Sequence, residues 1–430
     1  MRNLKFFKET KTCILKFQLI IFTYMEQWRK NLYTLWAAQL LIFIGMSLAM
    51  PFLPLYIQEL GVRGFASAAR WSGIVFGMPF LFSAFFAPIW GTIGDLYGRK
   101  KMILRAMFGV SIVITLMGFV KNVHQLLILR ALHGILGGFI GPSIALITTS
   151  VPEELLGFSI GFFQTSIVAG SIVGPLFGGI LADMMGYRQI FKLTGLCAFI
   201  SAMTVLIFVK EERRQSLNRE NTYGLRDNLS FFFHSRELLT IAFSIFVMQF
   251  GIMLVEPILP LFISTLGVKK KILATVTGLI FSSTGIVNIF ATPLWGKRAD
   301  KKGYKSTLII CMLGASLCYI PHALVRSAFQ LGILRVILGI FSSGVGPSTQ
   351  SIIAYNVPAE RRGGVYGLAN SATLLANLIG PATGGVLAGA IGIRFSFVLT
   401  SFFVFTSWLL VRAIVKEPVK TFSTSISPNK

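Results

Sequence analysis

Gly45-Met-Ser-Leu-Ala-Met-Pro51-Phe-Leu-Pro54 is written a second time in this chain as Gly251-Ile-Met-Leu-Val-Glu256-Pro257-Ile-Leu-Pro260, 206 residues further on. Each copy lies inside an apolar stretch of membrane-crossing length. Further blocks return with nearly the same period. Trp90-Gly91-xxx-Asp95-xx-Gly98 recurs as Trp295-Gly296-xxx-Asp300-xx-Gly303, at an offset of 205. Arg130-xxx-Gly134 and Gly141-Pro142-Ser143 recur as Arg335-xxx-Gly339 and Gly346-Pro347-Ser348. Gly174-Pro175-xx-Gly178-Gly179 recurs as Gly380-Pro381-xx-Gly384-Gly385. One helical unit is therefore written twice. Two similar membrane halves facing each other form an alternating-access carrier, with its substrate between them.

Composition points the same way. Of 430 residues, 54% are hydrophobic and 13% charged, and mean hydropathy is +0.73; an ordinary soluble domain lies far from these values. Charge-poor stretches able to cross roughly 30 Å of hydrocarbon recur at 33–58, 71–93, 102–120, 124–149, 158–182, 189–209, 239–265, 273–296, 306–324, 328–352, 362–389 and 394–415. The expected fold is all-α, with twelve transmembrane helices in two pseudo-symmetric six-helix bundles. The expected boundaries are an N-terminal extension 1–24, a first bundle 25–209, a cytoplasmic linker 210–238, a second bundle 239–417 and a tail 418–430.

A net charge of +24 suggests nucleic acid until its distribution is read. With the N-terminus inside, 28 basic residues fall on the cytoplasmic side and 10 on the other. That is the positive-inside bias, so the basicity reflects topology and affinity for anionic lipid, with both termini cytoplasmic and no nucleic-acid partner. Residues 1–24 contain a short apolar run, Cys13 to Phe22, interrupted by Lys16. They read as a dispensable extension or an interfacial amphipathic stretch.

Soluble-enzyme chemistry finds no footing. The four cysteines form no CxxC, the four histidines are scattered, and no phosphate-binding loop or nucleotide fingerprint is present. No cofactor or metal is expected, and ATP is not the expected energy source. The acids are more telling. There are 16, and all but Glu256 can be assigned to loops, termini or helix ends; Glu59 and Asp183 mark outer ends. Glu256 sits midway along the seventh span, directly before Pro257. A charged, unpaired carboxylate there costs several kcal/mol, which makes Glu256 a candidate to take up and release the coupling proton. The alternative is a carboxyl hydrogen-bonded to backbone freed by Pro257 and Pro260. Arg130 and Arg335 are the intramembrane cations; each reads either as electrostatic control of a proton or anion site, or as a packing anchor.

The fifth span carries a small-residue ridge at Gly170, Gly174 and Gly178, with Gly161 and Gly179 nearby and Pro175 bending the helix. A close, bent contact suits an interface that must rock.

These blocks carry a resemblance. Gly91-Thr-Ile-Gly-Asp95-Leu-Tyr-Gly98-Arg99-Lys100-Lys101 resembles the loop signature of the major facilitator superfamily. The span-five pattern resembles the signature associated with drug:proton antiporters. Gly45-xxxxx-Pro51-Phe-Leu-Pro54 and Arg130-xxx-Gly134 are similar to helix-one and helix-four motifs of its twelve-helix exporters. The run from Trp71, with Leu126 to Phe139, is similar to the MdtG-type multidrug efflux branch. The resemblance covers residues 30–415. It implies a conformational latch at Gly91, Asp95, Gly98 and Arg99, with Asp95 favoured at the positive end of a helix. The second copy, Gly296, Asp300 and Gly303, would be weaker because Tyr304 stands where the first has Arg99. It implies help from Arg130 in proton transfer and an antiporter bend at Gly170, Gly174, Pro175, Gly178 and Gly179.

The expected function is secondary active export of small amphipathic compounds in exchange for protons, by a monomer in a bacterial inner membrane. An importer of a small metabolite on the same fold is the alternative, and a membrane sensor a more distant one. Substrate is expected between spans 1, 4, 5, 7, 8, 10 and 11. Gln39, Gln164, Gln249, Asn288, Asn370 and Asn377 are cavity candidates by depth.

Overall fold

The computed structural model describes residues 26–211, 225–358 and 361–418. The N-terminal extension, most of the linker and most of the tail therefore lie outside the described residues. Eleven described helical segments are long and apolar enough to cross a membrane. In chain order they are span 1, Gln27–Glu59; span 2, Phe65–Gly94; span 4, Val123–Ser150; span 5, Glu153–Met185; and span 6, Tyr187–Phe208. In the second half they are span 7, Arg236–Thr265; span 8, Lys270–Lys302; span 9, Tyr304–Leu324; span 10, Ala328–Asn356; span 11, Gly364–Ile391; and span 12, Ile393–Ile414.

The remaining expected crossing, span 3, is the helix Arg99–Met117. Arg99, Lys100, Lys101 and Arg105 crowd its first two turns, so it is too charged to stand with the others on composition. Its apolar remainder buries Met107, Val110, Ile114 and Met117, and packing supplies what the first turns lack. Several helices outrun the stretches read from sequence, because a helix continues past the hydrocarbon boundary where apolarity stops. Inside the expected linker lies a short helix, Leu225–His234, with Phe232 buried.

Turns between consecutive spans are as short as one residue. Gly98 (φ +102°) alone separates Tyr97 from Arg99, and Gly303 (φ +101°) does the same between spans 8 and 9. Any side chain is strained at such φ values. This explains why the repeated block ends in glycine.

The duplicated blocks also mark where helices break. Span 1 passes through a 3-10 turn at Met50–Phe52 and span 7 through one at Glu256–Ile258, each holding a proline without an N–H to continue the ladder. Span 4 is interrupted between Leu136 and Ile140, where Gly138 has φ +90°. Span 10 is interrupted between Ser342 and Val345. The repeated tryptophans staple these breaks: Trp90 Nε1 donates to the Ile135 carbonyl at 2.7 Å and Trp295 Nε1 to the Ile340 carbonyl at 2.6 Å. Buried backbone freed at a break thus finds a donor.

Buried side chains form two cores. One is drawn almost wholly from the first half, the other almost wholly from the second, joined by a few residues such as Ala68, Ala69 and Ala274. Span 2 packs against span 11, and span 5 against span 8. Glycines permit backbone contact along both seams: a Cβ at Gly73 would strike the Pro381 carbonyl, and one at Gly278 the Pro175 carbonyl. Toward the basic end no such contact is met at Gly91, Gly161, Gly296 or Gly367. The molecule is closed at its weakly charged end and open at its basic end. Large apolar side chains such as Ile112, Phe199, Ile207 and Phe402 are exposed around the bundle, as a lipid-facing perimeter requires.

Candidate functional site

A cavity of about 810 Å³ lies between the halves. Span 5 contributes Gln164, span 7 Gln249, span 10 Thr349 and Gln350, and span 11 Asn370, set among Ile245, Met248 and Ile252. No acidic or basic side chain is among its lining residues. Gln249 Nε2 donates to Asn377 Oδ1 at 2.7 Å, so Asn377 orients a cavity amide from behind. Tyr366 also lines the space and its hydroxyl donates to the Gln350 carbonyl at 2.8 Å. Depth along the helices therefore located Gln164, Gln249 and Asn370. It missed Thr349, Gln350 and Tyr366, although Thr349 and Gln350 directly follow the repeated Gly346-Pro347-Ser348 block.

Two candidates fall elsewhere. Gln39 is fully buried in the first half, and both atoms of its amide lack a hydrogen-bond partner. Asn288, with its amide oriented to suit its neighbours, donates to the Gly339 carbonyl at 2.9 Å and the Thr284 carbonyl at 3.2 Å. It is a staple between spans 8 and 10. Ser83, its repeat equivalent, donates likewise to the Gly134 carbonyl at 3.0 Å. Mid-membrane depth places a polar residue level with a cavity but does not decide which way it faces. Among the described residues, spans 1, 4 and 8, expected at the cavity, contribute nothing to its lining.

The intramembrane charges Arg130 and Glu256 lie in different halves. Arg130 is buried in the first half, its Nε donating to the Val75 carbonyl at 2.9 Å and its Nη2 to the Phe76 carbonyl at 3.3 Å. Pro79 lacks the N–H that would otherwise engage Val75, so Arg130 fills a vacancy in the ladder of span 2. Its Nη1 contacts Met50 Sδ at 3.3 Å and His133 Nδ1 at 3.3 Å. Glu256 lies in the other half, half-buried in the break of span 7. The cation at the repeat position of Arg130 is Arg335, whose charge acts on the Glu256 carboxyl; among the described residues no hydrogen bond or ion pair joins the two. No hydrogen bond ties the Glu256 carboxyl to the backbone beside Pro257 and Pro260 among the described residues, so the alternative reading of that carboxyl lacks its partner.

At the basic end, Arg99 Nη1 donates to the Ala145 carbonyl at 2.5 Å and Thr149 Oγ1 at 2.7 Å, tying span 3 to span 4. Asp95 lies in the last helical turn before Gly98. In the second copy the Tyr304 hydroxyl donates to Asp300 at 2.8 Å, a bond that stays beside the turn. Sequence reading overlooked the acids that cap these turns. Glu211 accepts from the backbone N–H groups of Arg99 and Lys100 at 2.7 and 2.9 Å. Glu417 accepts from those of Lys305 and Ser306, both at 3.2 Å. A carboxylate at a helix N-terminus satisfies orphan donors and meets the positive end of the helix dipole. The signal was present: Val209-Lys210-Glu211 returns as Val415-Lys416-Glu417, 206 residues on.

The glycine ridge of span 5 also divides. Gly170, Gly174 and Gly178 pack on Phe43, Ile44, Ser47 and Leu48 of span 1, inside the first half. The contact between halves is made by the adjacent strip: Gly179 faces Ala274 and Thr275, and Pro175 faces Gly278. The ridge is therefore internal packing, and Pro175 with Gly179 forms the seam. Above that seam Asp183 accepts from the backbone N–H of Ala274 at 3.1 Å, the N–H of Thr275 at 2.7 Å and the Thr275 hydroxyl at 2.6 Å. One carboxylate of the first half thus caps the first helical turn of span 8 in the second. Its repeat position is Gly389, so the period offered no pointer to it.

Two membrane bundles closed at one end, open at the other and holding between them an apolar cavity set with amide and hydroxyl groups define a secondary transporter rather than an enzyme. The chain belongs to the Major Facilitator Superfamily, whose family model matches residues 35–328 and 241–428. It is 37% identical over 396 residues to "Multidrug resistance protein MdtG" of Proteus mirabilis (strain HI4320), covering 90% of this chain and 97% of that protein. Over 395 residues it is 36% identical to the protein of the same description from Rahnella sp. (strain Y9602), covering 90% and 94% respectively. Among solved structures, a bacterial homolog of the human lysosomal transporter Spinster, inward-facing and unoccupied, superposes with a TM-score of 0.76 at 17% identity, covering 92% of this chain and 99% of that one. A D-xylose–proton symporter superposes with a TM-score of 0.71 at 17% identity, over 91% and 99%. These two likenesses concern the fold.

Proposed function

We propose that the chain exports small amphipathic compounds across a bacterial inner membrane in exchange for protons, acting as a monomer with both termini in the cytoplasm. The observation that carries the reading is the cavity of about 810 Å³ with amide and hydroxyl groups among aliphatic walls, open toward the basic end. Such a lining binds by apolar contact and adaptable hydrogen bonds, which suits substrates varied in shape. The positive-inside rule makes the basic end cytoplasmic, so the molecule is poised to load from inside. The names of the MdtG relatives support drugs as the compounds. The bundles are taken as 25–209 and 239–417, joined by 210–238.

Glu256 is the proposed proton carrier. It is a carboxyl in a broken helix near the cavity, where protonation state and conformation are readily linked. The proposed conformational latch is Gly91, Asp95, Gly98 and Arg99, stabilising one of the two access states, with a weaker second copy at Gly296, Asp300 and Gly303. Import remains the competing direction, because a fold shared with a D-xylose–proton symporter does not fix direction.

The test is a drug-susceptibility screen of a pump-deficient bacterial host expressing the chain, with and without a protonophore. Raised tolerance that the protonophore abolishes supports the proposal. Unchanged tolerance to every compound class, with uptake of a metabolite instead, overturns it. In proteoliposomes Glu256→Gln should stop export driven by a pH gradient while substrate still binds; normal coupling in that variant removes Glu256 from the mechanism.

A further inference from the structure

Repeat symmetry sets the two intramembrane arginines at equivalent positions, yet their surroundings differ in three linked ways. Arg130 corresponds to Arg335 at an offset of 205, Pro79 to Thr284 at 205, and Met50 to Glu256 at 206. In the first half Pro79 leaves the Val75 carbonyl free, and the guanidinium of Arg130 takes it together with the Phe76 carbonyl. The group facing Arg130 from the break of span 1 is the thioether of Met50, 3.3 Å away. In the second half Thr284 retains its N–H, so no proline frees a carbonyl at that level of span 8. Arg335 is buried and its Nε has no hydrogen-bond partner. The residue at the repeat position of Met50, in the break of span 7, is Glu256; its charge and that of Arg335 act on one another, with no hydrogen bond or ion pair joining them among the described residues.

From this difference we infer that the proton-exchanging unit is confined to the second half, with Glu256 as the proton carrier and Arg335 as its counter-cation, while Arg130 is a structural pin. The inference deepens the proton-coupled reading above and rests on it. A guanidinium stays charged and needs an acceptor. Arg130 has backbone acceptors that do not change with protonation. Arg335 has a partner whose charge comes and goes with the proton. When Glu256 is neutral, Arg335 is a buried cation without a counter-charge, and the two charge states favour different packings of spans 7 and 10. Other titratable groups near the pair come from span 9. Tyr319 feels both charges and His322 feels Arg335, and His322 Nε2 lacks a partner. Spans 2 and 11 also pack on the turn that carries Glu256, and among the described residues Arg335 is the charged group that acts on it.

The test needs no knowledge of substrate. Infrared titration of the purified protein in lipid nanodiscs follows the protonated-carboxyl band that disappears in Glu256→Gln. Arg335→Gln should move the midpoint of that band to more alkaline pH by about tenfold or more in proton concentration, since the cation favours the ionised acid. Arg130→Gln should move it by less than about threefold. An unmoved midpoint in Arg335→Gln, or an equal shift in Arg130→Gln, overturns the assignment. Arg335→Lys keeps the charge if the glutamine variant fails to fold. It should hold the midpoint within about threefold, and a Lys variant that shifts it by the full tenfold also overturns the pair. Export that survives Glu256→Gln would instead remove the coupling role and leave the electrostatic pair standing.

Discussion

Replacing Asp183 with asparagine should loosen the outer seal, and the structure sets the scale of the effect. The carboxylate of Asp183 receives three hydrogen bonds from the other half, two from backbone N–H groups at the start of span 8 and one from the Thr275 hydroxyl. Hydrogen bonds to a charged group contribute about 1.5–3 kcal/mol each, and a charge at a helix N-terminus about 0.3–1 kcal/mol. Asparagine keeps one acceptor oxygen but loses the charge and the second oxygen. Asp183 is also half-exposed, which weakens both contributions. A loss of about 1–2 kcal/mol follows, or about 5- to 30-fold in the ratio of outward-open to outward-closed molecules. Ser282 reports that ratio. It is buried on the seam, its hydroxyl donating to the Ile172 carbonyl at 2.8 Å. In a background freed of native cysteines, Ser282→Cys should react with a membrane-impermeant maleimide about 5- to 30-fold faster once Asp183→Asn is added. A change of less than about twofold, or slower labelling, would refute the idea that this carboxylate holds the halves together.

Other perturbations test neighbouring links in the same chain of reasoning. Thr275→Val removes a single donor to the Asp183 carboxylate and should speed the same labelling by a smaller factor than Asp183→Asn; equal effects would mean that charge is irrelevant there. Gly179→Val drives a side chain into the Ala274 carbonyl, so the outer end should stay open, with export lost and Ser282→Cys labelled at its maximal rate. Glu211→Gln should lower the unfolding temperature in detergent, at a cost of about 1 kcal/mol for a weakened helix cap. Glu417→Gln should lower it less because its bonds are longer; the reverse order would contradict the geometry. Trp90→Phe and Trp295→Phe each delete one staple to a broken helix and should destabilise by similar amounts, about 1 kcal/mol apiece.

Much of the site was legible from the repeat, and the exceptions share a cause. Gly98, Gly303, Pro51, Pro257, Trp90 and Trp295 do local work: they turn a chain, break a helix or bond a neighbour in the same half. Local work leaves the same residue in both copies, so a period exposes it. Glu211 and Glu417 obeyed this rule as well, and only their position after an apolar span hid them. Asn288 and Gln39 were misplaced because depth is set by position along a helix, whereas facing is set by rotation about its axis, and tightly packed spans give little amphipathic signal. Asp183 escaped because its role lies between the halves and only one half carries it.

The amino-acid sequence determined by itself that this chain is a duplicated bundle of membrane helices and that a carboxyl lies midway along one of its spans. Each of these follows from the energetics of backbone and side chain in hydrocarbon, which act on short segments. Tertiary structure alone decided which partners those segments meet. It tied Arg99 to Thr149, seated Arg130 on the carbonyl that Pro79 leaves free, and set Asp183 over span 8. Such pairings depend on the rotation and crossing of helices far apart in the chain, and no local period encodes them.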